Sequence, residues 1–110
     1  MDQQTFEAEL KRDGYDVMTN TTPGAKVNPE HSHPFDVRAM VVKGAMNLTR
    51  EGRTDTYRAG ETFSMPRGCL HYESYGDQGA VVLLGRNFLF LSGGCVITPS
   101  VVVSVATDLP

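Results

Sequence analysis

The chain is poor in histidine, in cysteine and in surplus charge. Only three histidines occur in 110 residues, so any clustering among them asks for an explanation. Cysteine is confined to Cys69 and Cys95, too few and too unevenly placed for a disulfide scaffold. The formal net charge is -3 with acids and bases intermixed, which gives no electrostatic footprint for nucleic acid. No basic amphipathic stretch suits a membrane surface. The opening "MDQQTFEAELKRDG" lacks the apolar core of a signal peptide, so a cytoplasmic setting is the expectation. Also missing is any helical stretch long enough for βαβ crossovers between strand-like segments, which argues against a parallel α/β sheet.

What remains is an ordinary globular composition, 40% apolar and 21% charged, with eleven glycines and six prolines. Residues 2–13 read as a short helix. Phe6 and Leu10 share one face at i, i+4, Asp2 or Thr5 caps the start, and Gly14 fits the position after the end. A first strand follows at 15–22, with a turn at Pro23-Gly24. "VRAMVVKG" from Val37 to Gly44 is the strongest strand signal, and "AMNLTR" alternates beside it. Turns are expected at Glu51-Gly52, at Pro66-Arg67-Gly68 and at Gly76-Asp77-Gln78-Gly79, separating "TDTYR", "AGETFSM", "CLHYESY" and "AVVLLGR". Short strands at even intervals between Gly, Asp and Pro turns are the pattern of a sandwich or barrel.

From Asn87 to Thr107 no residue is charged. Two interruptions, "SGG" and "TPS", cut this run into strand-sized pieces, so extra strands or a dimer contact are expected rather than a membrane anchor. The expected organisation is therefore a helical segment at 1–14, a barrel at 15–86 and an apolar extension at 87–110.

Two histidines stand together in "EHSHPFD". In a strand, His31 and His33 project to the same side while Ser32 faces away, and Pro34 holds His33 in the β region. His71 follows the tight turn "PRG", near the start of another strand. Spacing alone leaves two readings open, a three-histidine metal site or histidines that happen to share a small protein.

These segments resemble the two signature motifs of the cupin superfamily. The first runs from a glycine through H-x-H and a glutamate to a closing glycine. Here it is carried by Gly24, His31, His33 and Gly44, with Val37 where the glutamate is expected. The second is carried by Gly60, Pro66, Gly68 and His71, with Tyr75 at the usual asparagine. The resemblance implies an all-β cupin double-stranded β-helix, a jelly-roll barrel, with the short helix added at its N-terminus. It also implies one divalent transition metal ion (Fe, Zn, Ni or Cu) held by His31, His33 and His71, since Val37 cannot ligate. Without the carboxylate the site is more positive and favours anionic or bidentate oxygen donors.

Near these histidines, Glu73 and Tyr75 are the candidate catalytic groups. Glu73 shares the His71 side of its strand and is either a partner for an imidazole N–H or a general base. Asp36 faces away and is expected to bond locally or to Arg38. Cys69 reads as a small buried hydrophobe rather than a soft extra ligand. Phe63, Met65, Met46 and Leu48 read as lining or core, and Arg38, Arg50 and Arg67 are the cations weighed for catching an anion. The leading functional reading is a metal-binding cupin, oxygenase-like on a small chelating substrate. The other is a non-enzymatic module that binds or senses a small molecule. The resemblance further suggests a homodimer.

Overall fold

The computed structural model describes residues 1–89. Its elements, in chain order, are α1 (Gln3–Arg12), β1 (Asp16–Thr22), β2 (Val27–His31), β3 (Asp36–Arg50), β4 (Arg53–Arg58), β5 (Thr62–Met65) and β6 (His71–Asn87). The sheet is antiparallel throughout, in the order β1-β6-β3-β4, with β2 added to β6 and β5 added to β3. The expected all-β barrel with a short N-terminal helix is what the chain forms.

Helix α1 starts where the sequence indicates. The Asp2 carboxylate accepts from the Thr5 amide at 2.8 Å, and the orphan carbonyl of Leu10 at the other end accepts from Tyr15 N–H at 2.9 Å. That hydrogen bond, with a second from the Thr5 hydroxyl, lowers the Asp2 pKa. Phe6 and Leu10 are fully buried against Met40 and Leu83 of the sheet. Burial of this stripe is what stabilises so short a helix. The guanidinium of Arg38 lies 5.2 Å from the Phe6 ring and bridges Glu9 and Asp13 at 3.6 and 3.7 Å, fastening the helix to β3.

Strands β3 and β6 organise the rest. Each is long and bent, and each half has its own outer neighbour. The first half of β3 pairs with β5 and its second half with β4, while β6 pairs first with β2 and then with β1. Their side chains alternate between two layers. Ala39, Val41 and Val82 enter the barrel core, whereas Met40 and Leu83 face the helix. This double burial explains the nearly continuous apolar runs "AMVV" and "AVVLL".

Two expected breaks are absent. Val37–Gly44 and Ala45–Arg50 are one strand, and the turn expected at Gly76–Gly79 lies within the continuous strand β6. Glycine reads locally as a turn signal, but here it permits a bend. Gly44 and Gly79 adopt φ of 81° and 70°, and a Cβ on Gly44 would stand 2.1 Å from the Gly79 carbonyl oxygen. Register shifts fall on either side of Gly44, so both strands curl without losing their ladder.

Among the described residues, no helix is long and apolar enough to cross a membrane. The expectation of extra strands or a dimer contact in the apolar extension falls mostly outside the described residues.

Candidate metal centre

The three histidines converge. Ring centroids are 4.7 Å apart for His31 and His33, 4.4 Å for His31 and His71, and 5.1 Å for His33 and His71. One ligand atom from each lies within 4.8 Å of the other two. His31 closes β2 and His71 opens β6, and the two are direct cross-strand partners. His33 lies just beyond β2, so the same-side argument from strand geometry does not by itself hold it. Two backbone and side-chain ties do. The Gly68 amide donates to the His33 carbonyl at 2.9 Å, and the Arg67 amide donates to the Asp36 carboxylate at 2.8 Å. The Pro66-Arg67-Gly68 turn of the second motif is thus stitched to the loop of the first. Gly68 makes that turn with φ of 77°, as its position in the turn requires.

Asp36 does not pair with Arg38, as sequence proximity suggested. Its carboxylate holds the Arg67 guanidinium at 3.3 Å, both side chains largely buried, while Arg38 is taken up by the helix. Sequence neighbours on a strand compete with groups brought across it, and here the turn wins.

The tautomers of two rings are set by their surroundings. His31 Nδ1 lies 2.7 Å from the Pro29 carbonyl and His71 Nδ1 lies 2.9 Å from the Cys69 carbonyl. A carbonyl only accepts, so each Nδ1 carries a hydrogen, and in the neutral ring each Nε2 keeps its lone pair. Burial, reinforced by repulsion from His71 and His31, pushes the His33 pKa below the usual histidine value. Neutral imidazoles with oriented donor nitrogens are what a transition metal requires.

Glu73 closes one side. Its Oε1 accepts from Asn28 Nδ2 at 2.9 Å and from the Tyr75 hydroxyl at 3.1 Å, and its Oε2 stands 3.4 Å from His71 Nε2. Burial pushes this carboxyl up, but a hydrogen bond and charge from His71 when its Nε2 carries a proton, with hydrogen bonds from Asn28 and Tyr75, outweigh it and hold the pKa at about 2. Burial and the facing Glu73 charge push the Tyr75 phenol up to about 12, so it stays a donor. An ionised carboxylate opposite an imidazole lone pair is repulsive unless positive charge lies between or beside them. A proton on Nε2 or a cation in the cluster meets that need.

The three donors fit a divalent ion. Metal–nitrogen bonds of about 2.0–2.1 Å place tetrahedral ligands roughly 3.3 Å apart, so nitrogens no more than 4.8 Å from one another need only a small inward movement. His31, His33 and His71 would hold the ion, and Val37 offers nothing to it.

These rings line a cavity of about 310 Å³. Glu73, Tyr75, Phe63, Met65 and Met46 line it as well, whereas Leu48 packs with Met65 and Cys69 in a separate cluster. Cys69 is fully buried, as expected, but it is not a free thiol and offers no thiolate to the site. Arg38, Arg50 and Arg67 are absent from the lining, whose one lysine or arginine among the described residues is Arg86. Sequence reasoning missed Arg86 and Asn28. Strand alternation was the available signal for the arginine, because Val82, Leu84 and Arg86 share one face.

A curved antiparallel barrel enclosing three histidines in a small cavity defines the class of protein. Residues 17–85 match the model of the cupin domain, and the chain belongs to that family. No curated protein matches the chain. Among solved structures, it is similar to a protein of unknown function from Rhizobium leguminosarum bv. viciae, with 17% identity over 68% of this chain and 71% of that one and a TM-score of 0.63. It is also similar to KdgF from Halomonas sp., with 24% identity over 66% of this chain and 70% of that one and a TM-score of 0.56. A cupin-2 domain containing protein from Shewanella frigidimarina aligns with 78% of this chain and 99% of its own, at 16% identity and a TM-score of 0.59. At such identities these likenesses speak to the fold.

Proposed function

We propose that this cupin is a metal-dependent protein acting on a small chelating molecule, with one Fe, Zn, Ni or Cu ion held by His31, His33 and His71 and with oxygenase-like chemistry as its activity. The observation that carries this reading is the set of three ligand atoms within 4.8 Å of one another, two of them on rings whose Nδ1 is tied to a carbonyl. When bound, the ion would supply Lewis-acid polarisation of a bidentate oxygen donor and, if it is iron or another redox metal, access to O₂ chemistry.

The chain's own residues support the rest. The apolar wall of Met46, Phe63 and Met65 keeps bulk water from a bound molecule and strengthens every polar contact there. Glu73 has two candidate roles, and its pKa of about 2 favours orienting His71 and Asn28 over taking a proton, since so weak a base holds one poorly at neutral pH. Tyr75 remains protonated and fixes Glu73. The reading also includes a homodimer in the cytoplasm, the first part of which light scattering of the purified protein measures.

Metal analysis of the purified protein, followed by O₂ uptake with a panel of diketones and catechols, tests the proposal. Bound metal with turnover supports an enzyme. Tight ligand binding without turnover points instead to a binding or sensing module. A metal-free protein that takes up no divalent ion refutes the centre itself.

A further inference from the structure

We infer that the carboxylate missing from the metal site is brought by the ligand: the cavity takes a small organic acid whose anionic group lies beside Val37, between the histidines and Arg86. This rests on the metal-centre reading above and names its substrate class.

The motif resemblance puts a glutamate at position 37, where this chain has valine. Val37 on β3 and Arg86 on β6 are cross-strand partners, and both line the cavity. A carboxylate at position 37 would therefore have had a guanidinium for its neighbour. With valine there, Arg86 Nε is buried and has no hydrogen-bond partner among the described residues. A buried N–H left without an acceptor is costly and uncommon, and it marks a place where an acceptor fits.

The rest of the guanidinium is held in place. One Nη2 contact reaches Asp16 at 3.1 Å, but Asp16 is two-thirds exposed, so water screens that pair. The rings of Phe35 and Phe88 lie 5.6 and 5.4 Å from the guanidinium carbon. Phe35 in turn stacks on His33 at 4.9 Å, so one aromatic wall links the cation to the metal cluster. Arginine in such a setting presents a fixed fork of donors, matched to the two oxygens of a carboxylate.

The competing carboxylate is spoken for. Among the described residues, Glu73 is the one acid in the lining, and its carboxylate is engaged by Asn28, Tyr75 and His71. Met18, Val82 and Leu84 complete an apolar surround next to Arg86. The cavity volume of about 310 Å³ limits the occupant to a small molecule. A compact body with one carboxylate meets all of these conditions, whereas a neutral diketone offers Arg86 an uncharged acceptor without the paired oxygens of a carboxylate.

Calorimetric titration separates the possibilities. Benzoate and 2-oxobutanoate are compared with benzamide and 2-oxobutanamide on zinc-loaded and on metal-free protein, for the wild type, Arg86→Gln and Val37→Glu. The acids are expected to bind more tightly than their amides. Arg86→Gln should weaken the acids about tenfold or more, leaving the amides and the zinc stoichiometry unchanged. Val37→Glu should weaken the acids comparably while tightening zinc, because its own carboxylate takes the vacant place. Equal binding of acid and amide, no binding of either acid, or an Arg86→Gln effect within twofold overturns the assignment. Zinc uptake by the wild type is read separately. If it fails, the metal centre falls, and the acid preference of the metal-free protein still decides the role of Arg86.

Discussion

Glu73 gives the sharpest test of the site's electrostatics, because it can be checked without any metal. Its carboxylate is 17% exposed and receives hydrogen bonds from Asn28 and Tyr75, with His71 Nε2 at 3.4 Å. Burial alone would raise its pKa, yet the fold holds it at about 2 against an ordinary 4.5. The folded state therefore binds this proton less readily than the unfolded chain does. Stability from Glu73 is fully present above pH 4.5 and is lost as pH falls from there towards 2. Each pH unit between those values is worth about 1.4 kcal/mol, so the contribution at pH 7 is up to roughly 3 kcal/mol. Glu73→Gln keeps the shape, and its carbonyl still accepts from Asn28 and Tyr75, so what it removes is the charge.

Urea unfolding of the metal-free protein at a series of pH values from 7 down to 3 reads this directly. The variant is expected to be less stable than wild type at neutral pH by up to about 3 kcal/mol. The gap should narrow below pH 4.5. A gap that stays constant with pH, or a variant as stable as wild type at pH 7, would refute the account of Glu73 as an ionised, tightly bonded carboxylate.

Other outcomes follow from the same geometry. His71→Ala removes the most buried of the three rings, 2% exposed, and zinc stoichiometry measured by atomic emission should fall from one per chain to near zero. Asp36→Ala takes the acceptor from the Arg67 amide and loosens the Arg67 guanidinium. It should cost about 2 kcal/mol by chemical denaturation, between the values for surface and buried pairs, and weaken zinc because one of the two ties between the turn and the His33 loop is lost. An NMR titration of the His33 ring in metal-free protein should give a midpoint below 6.5, since burial and the two neighbouring rings oppose its charge. A midpoint at or above 6.5 refutes that crowding.

Local spacing along the chain is enough to settle some parts of this protein. The helix was legible because its apolar pair, its cap at Asp2 and Gly14 all lie within one short stretch of chain. The three metal-binding candidates were legible because H-x-H and "PRGCLH" fall within recognisable motifs, and the structure brings all three together. The alternation in "AMNLTR" marked a strand because side-chain direction there follows directly from position in the chain.

Tertiary structure decided whatever depends on what lies across a strand. Glycines at 44 and 79 look the same in sequence whether the chain reverses or bends. Only the facing backbone, 2.1 Å from where a Cβ on Gly44 would stand, shows that they bend. Asp36 could reach Arg38 along the chain, but folding offered it the Arg67 turn instead. Arg86 gained its place from register, which sets it opposite Val37 with a donor left over. Register is a property of the assembled sheet, fixed by the packing of the core and by the bends, and no stretch of residues carries it alone.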